Sequence, residues 1–273
     1  MVRKKLCAMI TALSLSMSLP LVHGEQPAAE TYRQIFQSGT FYVEYKDAYT
    51  TRIIASEKGQ RMERTSYNTP GWVTFLNPLG AIFGGGGPRH PEVMHKDGNY
   101  YQFSEDNKAT MLSEEHLTDE NLDPRQGWNG IHQKLALPIE LAVFFWEDPY
   151  RDKAAAITPP QFVSSSKKHA DNRDYDCDRY SCLIKTADGN AEAQILYDAL
   201  YDDKGQLVEV QSIVLANDIE YPNNTVKIKK ILPEVPQNAF AISKKTRIYA
   251  AGNGDMNDLL GQPVQIGQME GLK

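Results

Sequence analysis

The segment from Tyr175 to Leu215 constrains the fold of this 273-residue chain more than any other part of the sequence. It contains three strand-like runs separated by turn signals, which lie at residues 187–190 (Ala-Asp-Gly-Asn) and 202–205 (Asp-Asp-Lys-Gly). Short runs of alternating apolar and polar residues between such turns are typical of an antiparallel meander and not of helices. The segment therefore predicts three consecutive antiparallel strands.

Two cysteines stand at the start of this segment. Cys177 and Cys182 are five positions apart. On one extended strand their Cα atoms would be roughly 16 Å apart, whereas a disulfide tolerates no more than roughly 7 Å. If they pair, the chain must turn at residues 178–181, and the disulfide would hold a hairpin together. The alternatives are a redox-active dithiol or half of a zinc site, but the redox motif is C-x-x-C and there is no second cysteine pair to complete a zinc site.

The first 24 residues have the pattern of a cleaved secretory signal peptide. Three basic residues, Arg3-Lys4-Lys5, precede an apolar run that ends near Val22, and Gly24 offers the small residue that a signal peptidase needs. The alternative is an N-terminal membrane anchor, which the short run and its internal proline disfavour. We therefore predict residues 1–24 to be a signal peptide and the protein to be periplasmic or secreted. In an oxidising compartment a disulfide between the two remaining cysteines is the default expectation.

Charge and length exclude several classes of partner. The chain has 35 acidic and 29 basic residues and a net charge of −6, and loss of the basic signal peptide would make it more negative. Such a balance argues against nucleic acid and anionic lipid headgroups as partners. No run after the signal peptide is long enough to span a membrane, so an integral membrane protein is not expected. Residues 25–273 have the size of one α+β domain, with a weakly structured tail at 252–273.

Alternating apolar residues predict further strands. The first contains Phe41, Val43 and Tyr45. A hairpin follows, with its strands at residues 52–55 and 61–64 on either side of a Lys-Gly turn. Residues 92–112 form a double hairpin, in which Asp97-Gly98 is a type I′ turn signal. Further strands are predicted at residues 162–166, 225–232 and 247–250, the second of them introduced by a turn at residues 221–224.

Three segments have helical patterns. Residues 30–36 fit one or two helical turns, and Ser113 is a suitable N-cap for a helix that continues to about Leu122. A third helical pattern runs from Asn129 to Asp148, where Pro138 must kink or restart the helix. Residues 139–146 are apolar on nearly every face except at Glu140, so this section must be enclosed by the sheet.

Two segments outside the predicted strands carry more bulky apolar side chains than loops and connecting helices usually need. They are Trp72, Phe75, Leu76 and Phe83 in the first segment, and Leu141, Phe144, Phe145 and Trp146 in the second. One explanation is an ordinary core beneath the sheet. The other is that these eight side chains line an apolar cavity for a lipid-like ligand. We take the second explanation as our hypothesis for the binding site.

Catalytic and metal-binding signatures are missing from the sequence. The histidines after the signal peptide, which are His90, His95, His116, His132 and His169, form no H-E-x-x-H or H-x-H pair. No serine lies in a G-x-S-x-G elbow, and paired carboxylates for glycoside hydrolysis have no support in the sequence. The sequence therefore predicts a non-enzymatic protein without a cofactor or a metal ion.

Several hairpin segments resemble those of a known family. IIASEKGQRM, HKDGNYYQFSEDNKATML and the closing segment NAFAISKKTRIYA are similar to segments of the periplasmic lipoprotein-carrier superfamily of LolA-like and LppX-like proteins. The resemblance implies a strongly curved antiparallel sheet, an unclosed β-barrel, that covers a few helices and holds acyl chains on its concave apolar face. Residues Ser113 to Trp146 would supply the helices, and no catalytic residue is implied.

These observations lead to a functional hypothesis. The chain is predicted to be an exported, non-catalytic carrier or binding protein for a hydrophobic ligand, either a lipid or the acyl chains of a lipidated protein, in the cell envelope. The alternative is a protein-interaction or envelope-stress sensor module on the same fold. In that case exposed sheet edges rather than a cavity would contact an envelope protein.

Overall fold

The computed structural model describes residues 24–48, 50–67, 92–104, 107–114, 132–151, 155–186, 192–217, 219–250 and 263–264. Almost all of the predicted signal peptide, the helix expected after Ser113 and most of the tail from 252 to 273 lie outside these residues. Ser113 itself is the last residue of a strand, and the Glu114 amide continues the strand pairing by donating to the Gly98 carbonyl at 2.8 Å.

The described residues form one sheet of 14 strands. The strands are β1 (Phe41–Lys46), β2 (Thr50–Glu57), β3 (Gln60–Tyr67), β4 (Glu92–Lys96), β5 (Asn99–Ser104), β6 (Lys108–Ser113), β7 (Ala155–Ile157), β8 (Gln161–Ala170), β9 (Arg173–Thr186), β10 (Glu192–Tyr201), β11 (Leu207–Ala216), β12 (Ile219–Leu232), β13 (Arg247–Ala250) and β14 (Pro263–Val264).

The strand order is β14-β13-β6-β5-β4-β3-β2-β1-β12-β11-β10-β9, and β7 and β8 lie end to end along the far edge of β9. Neighbouring strands are antiparallel except β13, which runs parallel to β6. Within the described ranges the two edges of the sheet do not pair with each other, so the sheet is unclosed. The predicted architecture, a large curved antiparallel sheet around a small helical part, is confirmed.

Two-residue turns set the register of the predicted hairpins. Lys58 and Gly59 join β2 to β3 with φ of 50° and 77°, and Asp97 and Gly98 join β4 to β5 with φ of 51° and 71°. Positive φ at both central residues is what a type I′ turn requires, because its twist matches that of the flanking strands. Both hairpins are therefore confirmed at the predicted positions.

The predicted cysteine hairpin is wrong. Residues 178–181 do not turn but continue β9, which pairs with β10 from Asp176 to Lys185. Cys177 and Cys182 are both buried and unpaired. An odd spacing on one strand points two side chains to opposite faces of the sheet. The turn lies upstream instead, at Asp171 and Asn172, with φ of 50° and 59°.

The cysteines give a test of this correction. Burial raises the pKa of the Cys177 thiol to about 11. At pH 8 only about one such thiol in a thousand is then ionised and reactive. We expect the folded chain without residues 1–24 to react very slowly with Ellman's reagent, and the denatured chain to react at once at both cysteines. A denatured chain without free thiols would contradict the continuous β9.

A second predicted turn, at residues 221–224, is also wrong. These residues belong to β12, which pairs with β11 over most of its length. The register shifts between Ser212 and Ile213, so that Asn223 is an extra residue on β12. A bulge of this kind bends a strand without ending it. The proline and two asparagines that resembled a turn therefore mark an irregularity within a long strand.

The helical part is smaller than predicted. One α-helix, α1 (Pro27–Gln37), confirms the helical turns expected at residues 30–36 and begins with a proline, which is well suited to the first helical position. The predicted helix from Asn129 to Asp148, kinked or restarted at Pro138, is confirmed in part, because residues 132–134 are helical. A short 3₁₀ helix (Ile139–Val143) follows Pro138 there, because proline cannot continue the preceding hydrogen-bond pattern.

The two faces of the sheet have separate cores. We call inner the face on which Phe41, Val43 and Tyr45 pack against α1 and the 3₁₀ helix. The outer face of β2–β6 has its own cluster, which includes Ala55, Met62 and Met94 and is covered by apolar residues of the connection between β12 and β13. The ligand hypothesis concerns the inner face.

A buried carboxylate links three strands on the outer face. The Asp198 side chain on β10 is 1% exposed and accepts hydrogen bonds from Arg179 at 2.7 Å and from Lys168 at 2.6 Å. Burial by itself would raise the pKa of Asp198, but the hydrogen bonds from Arg179 and Lys168 outweigh it, and the pKa is lowered. Arg179 also donates to Glu220 at 2.7 Å. The cluster fastens the edge strand β8 to the body of the sheet.

This cluster predicts a loss of stability in acid. The pKa of Asp198 is lower in the folded than in the unfolded chain. The ionised side chain therefore stabilises the fold fully above the unfolded pKa of about 3.9, and this stabilisation is lost as the pH falls through the folded pKa. We expect Asp198→Asn to reduce the free energy of unfolding by about 1–3 kcal/mol at pH 7. The difference from the wild type should shrink as the pH falls below about 4. Urea denaturation at each pH measures it, and a difference that does not depend on pH would contradict the ionic role of Asp198.

Candidate ligand site on the inner face

The inner face is filled by chain that does not belong to the sheet. We call residues 132–151 the interior segment. Together with α1 it covers the inner face, where the 3₁₀ helix contacts β11 and β12. The N-terminus of α1 is held by β9, because the amide of Gln26 donates to the fully buried carboxylate of Asp178 at 2.7 Å. The apolar interior is therefore shared between one short helix and an irregular segment.

The structure places four of the eight predicted ligand residues. Leu141 and Phe144 are 0% exposed in the inner core, where the Phe144 ring meets the Tyr32 ring edge-on with centroids 5.7 Å apart. Phe145 is half-buried and stacks on Phe36 at 6.4 Å. Trp146 is half-buried, and its buried indole nitrogen has no hydrogen-bond partner among the described residues. The other four, Trp72, Phe75, Leu76 and Phe83, lie outside the described residues.

A buried ion pair anchors the interior segment to β3. The Arg61 guanidinium donates to the Asp148 carboxylate at 2.5 Å and to the Leu135 carbonyl at 3.2 Å. Asp148 also accepts from the amides of Leu137, at 2.7 Å, and Tyr150, at 3.2 Å. Arg61 lies over the Tyr150 ring at 4.4 Å. Both ends of the interior segment thus meet at one charge pair that the protein excludes from water.

A second set of polar contacts lies beside this pair. Arg52 on β2 donates to the Glu63 carboxylate and to the Lys134 carbonyl, each at 2.9 Å. His95 on β4 lies 2.6 Å from the Tyr150 hydroxyl through its Nδ1 atom. The His95 ring also stacks on Tyr100 with centroids 4.4 Å apart. The polar contacts of the interior segment are therefore concentrated on β2–β5, whereas its apolar contacts extend from β1 and β9–β12 to Val93 and Tyr100 on β4 and β5.

A further polar cluster lies within the apolar part. The Glu140 side chain, on the 3₁₀ helix, is buried and accepts a hydrogen bond from the Ser212 hydroxyl at 2.8 Å. The hydroxyls of Tyr45 and Tyr197 are buried there and have no hydrogen-bond partner in the described part of the chain. Burial lowers the pKa of the nearby Arg151, whose buried Nε atom is likewise without a described partner. Three buried donor atoms of this interior, on Tyr45, Tyr197 and Arg151, thus have no hydrogen-bond partner among the described residues.

The residues in these polar contacts were not predicted from the sequence. Only Glu140 stood out, as the single charged residue of an apolar run. A signal for Arg61 and Glu63 was present, because both occupy the alternating positions of β3 that would normally be apolar on a core-facing strand. Inward charges of this kind point to a polar contact across the core.

A surface groove of about 460 Å³ lies elsewhere, beside the bulge of β12. Its lining includes Lys46, Asp47, Gln211, Asn223 and Lys227. None of the predicted ligand residues lines it. Among the described residues no group of three His, Cys, Asp or Glu side chains is placed to hold a metal ion, and no helix there has both the length and the apolar character needed to cross a membrane.

Comparison with known proteins gives structural neighbours only. No family model matches the chain, and no curated protein matches it either. A predicted lipoprotein from Parabacteroides distasonis shares 10% identity over 71% of this chain and 95% of its own, with a TM-score of 0.25. A predicted exported protein with a YmcC-like fold from Bacteroides fragilis shares 10% identity over 70% of this chain and 93% of its own, with a TM-score of 0.22.

A third solved structure concerns the family that the hairpin sequences resemble. It is a LolA superfamily protein from Nitrosomonas europaea, with 10% identity over 78% of this chain and 97% of its own, and a TM-score of 0.25. The structural neighbours of the chain thus include a member of the LolA superfamily.

Proposed function

We propose that this protein is an exported, non-catalytic carrier or binding protein for a hydrophobic ligand, a lipid or the acyl chains of a lipidated protein, in the cell envelope. The observation that supports the proposal best is the composition of the interior. The concave face of the sheet is apolar, yet the chain that covers it is largely an irregular segment with one 3₁₀ helix of five residues.

Replacement of the interior segment by an acyl chain would leave the sheet intact. No strand of the sheet includes this segment, so its removal breaks no strand pairing. Each buried methylene group of an incoming acyl chain contributes about 0.8 kcal/mol, which is comparable to what the displaced apolar side chains contribute. The remaining cost in free energy is the loss of the polar contacts that the interior segment makes to Arg52, Arg61 and Ser212. The fold can thus exchange one apolar filling for another.

Native mass spectrometry of the protein purified from its own cell envelope tests this proposal. We expect a stoichiometric adduct with the mass of an acyl-chain compound, which denaturation and lipid extraction then release. As a control, the delipidated protein should recover the same adduct when the extracted lipid is returned. A clean ligand-free mass in both experiments would contradict the carrier function.

A second candidate function is protein interaction through a sheet edge. β8 is ten residues long and pairs with β9 on one side, while its other side has no partner strand among the described residues. Val163 on this strand is 53% exposed. An open edge can add a strand from another protein, although Lys167 and Lys168 are of the type that protects edges from such pairing. A ligand-free mass in native mass spectrometry would favour protein interaction over the carrier function.

A further inference from the structure

The polar cluster around Glu140 lies on neighbouring strands of the inner face. Tyr197 on β10 and Ser212 on β11 are directly opposite each other, a position in which side chains of adjacent strands touch. Tyr45 lies on β1, on the same face. Tyr45, Tyr197 and Ser212 are at most 1% exposed. Tyr197 and Ser212 thus form one pair of hydroxyl groups inside the apolar core, and Tyr45 adds a third on the same face, two strands from Ser212.

Two of these hydroxyl groups, those of Tyr45 and Tyr197, have no oxygen or nitrogen acceptor among the described residues, and the Tyr197 hydroxyl is beside the weakly accepting thiol of Cys182. Burial is the main cause that raises the pKa of Tyr45 and Tyr197 far above the ordinary value, and the Glu140 carboxylate adds to it. Both phenols therefore stay protonated. Ser212 is the one donor to the carboxylate of Glu140 among these three hydroxyls. Because a buried donor without an acceptor costs about 1–3 kcal/mol, two unpaired hydroxyls beside a carboxylate require an explanation.

The charges around the cluster favour an anionic acceptor. Two cations face it, Arg52 near Tyr45 and Arg151 near Tyr197. Arg52 is paired with Glu63 at 2.9 Å. Arg151 has no described carboxylate within salt-bridge distance and makes one long hydrogen bond, to the Phe145 carbonyl at 3.4 Å. A carboxylate that replaced Glu140 would keep the charge of this region unchanged.

We propose that Tyr45, Tyr197 and Ser212 bind the carboxylate of a fatty acid, and that Glu140 occupies this site while the ligand is absent. This inference rests on the proposed function, since it assigns the polar end of the hydrophobic ligand. The interior segment carries Glu140, so its displacement by the acyl chain removes one carboxylate and admits another. The two tyrosine hydroxyls then gain an acceptor that Glu140 does not give them.

Calorimetric titration of the delipidated protein with laurate and with methyl laurate tests the site. The ester has the same chain without the charge, so we expect laurate to bind at least about 10-fold more tightly. Tyr197→Phe should weaken laurate binding by about 10-fold and leave methyl laurate binding unchanged. Glu140→Gln, which removes the competing charge and keeps the side-chain shape, should strengthen laurate binding.

Tyr201→Phe is the matched control. Tyr201 is on the same strand and face, is fully buried and also has an unpartnered hydroxyl, but its charged neighbours are Asp178 and Glu25 at the α1 end. We expect laurate binding as in the wild type. Equal affinity for laurate and methyl laurate, or equal losses in the two tyrosine variants, would overturn the carboxylate site and leave the carrier function intact. If neither laurate nor methyl laurate binds, the carboxylate site and the carrier function are both contradicted.

Discussion

Arg61→Met should lower the free energy of unfolding by about 3–5 kcal/mol, because it leaves the Asp148 carboxylate buried without a counter-charge. The guanidinium and the carboxylate are 3% and 0% exposed, so water cannot replace either partner. The same carboxylate accepts from two amides of the interior segment. We therefore expect the variant to unfold at a lower urea concentration and to bind laurate more tightly, since the interior segment has lost its main polar anchor.

Two further variants make this result specific. Arg64→Met, on the same strand, removes an arginine that is 47% exposed and paired with Glu92. It should lower the free energy of unfolding by less than about 1 kcal/mol. The double variant Arg61→Met/Asp148→Leu replaces the buried pair by apolar side chains and should recover much of the lost stability. Equal losses in Arg61→Met and Arg64→Met would show that the buried pair does not hold the interior segment.

The sequence predicted those parts of the fold that depend on local contacts. Alternation at Phe41, Val43 and Tyr45 identified a strand, and Asp97-Gly98 identified a turn, because in each case neighbouring residues determine the backbone conformation. The cysteine hairpin failed for the opposite reason. It depended on a long-range choice between pairing two thiols and pairing β9 with β10, and the ten cross-strand positions from Asp176 to Lys185 outweigh one disulfide.

The candidate site was predicted in part. The apolar run from Leu141 to Trp146 was expected to be enclosed, since an apolar surface on all sides has to leave water; Leu141 to Phe144 are buried, and Phe145 and Trp146 are half-buried. Its predicted helical form is confirmed only as a short 3₁₀ helix, which begins after Pro138. The contact between Arg61 and Asp148 joins residues 87 positions apart. Periodicity within a single strand cannot reveal such a partner.

Phe144→Ala should cost about 3–5 kcal/mol of stability, because the ring is completely buried against α1 and its removal leaves a cavity on the inner face. If an acyl chain displaces the interior segment there, the segment of the variant competes less strongly, so laurate should raise the urea midpoint of the variant more than that of the wild type, through preferential binding to the folded state. Met94→Ala provides the comparison, since Met94 is also 0% exposed but packs in the outer core. It should lose about 2–5 kcal/mol and gain no additional protection from laurate. The same gain in both variants would mean that laurate acts on the protein in general, whereas a gain confined to Phe144→Ala would locate the acyl chain on the inner face.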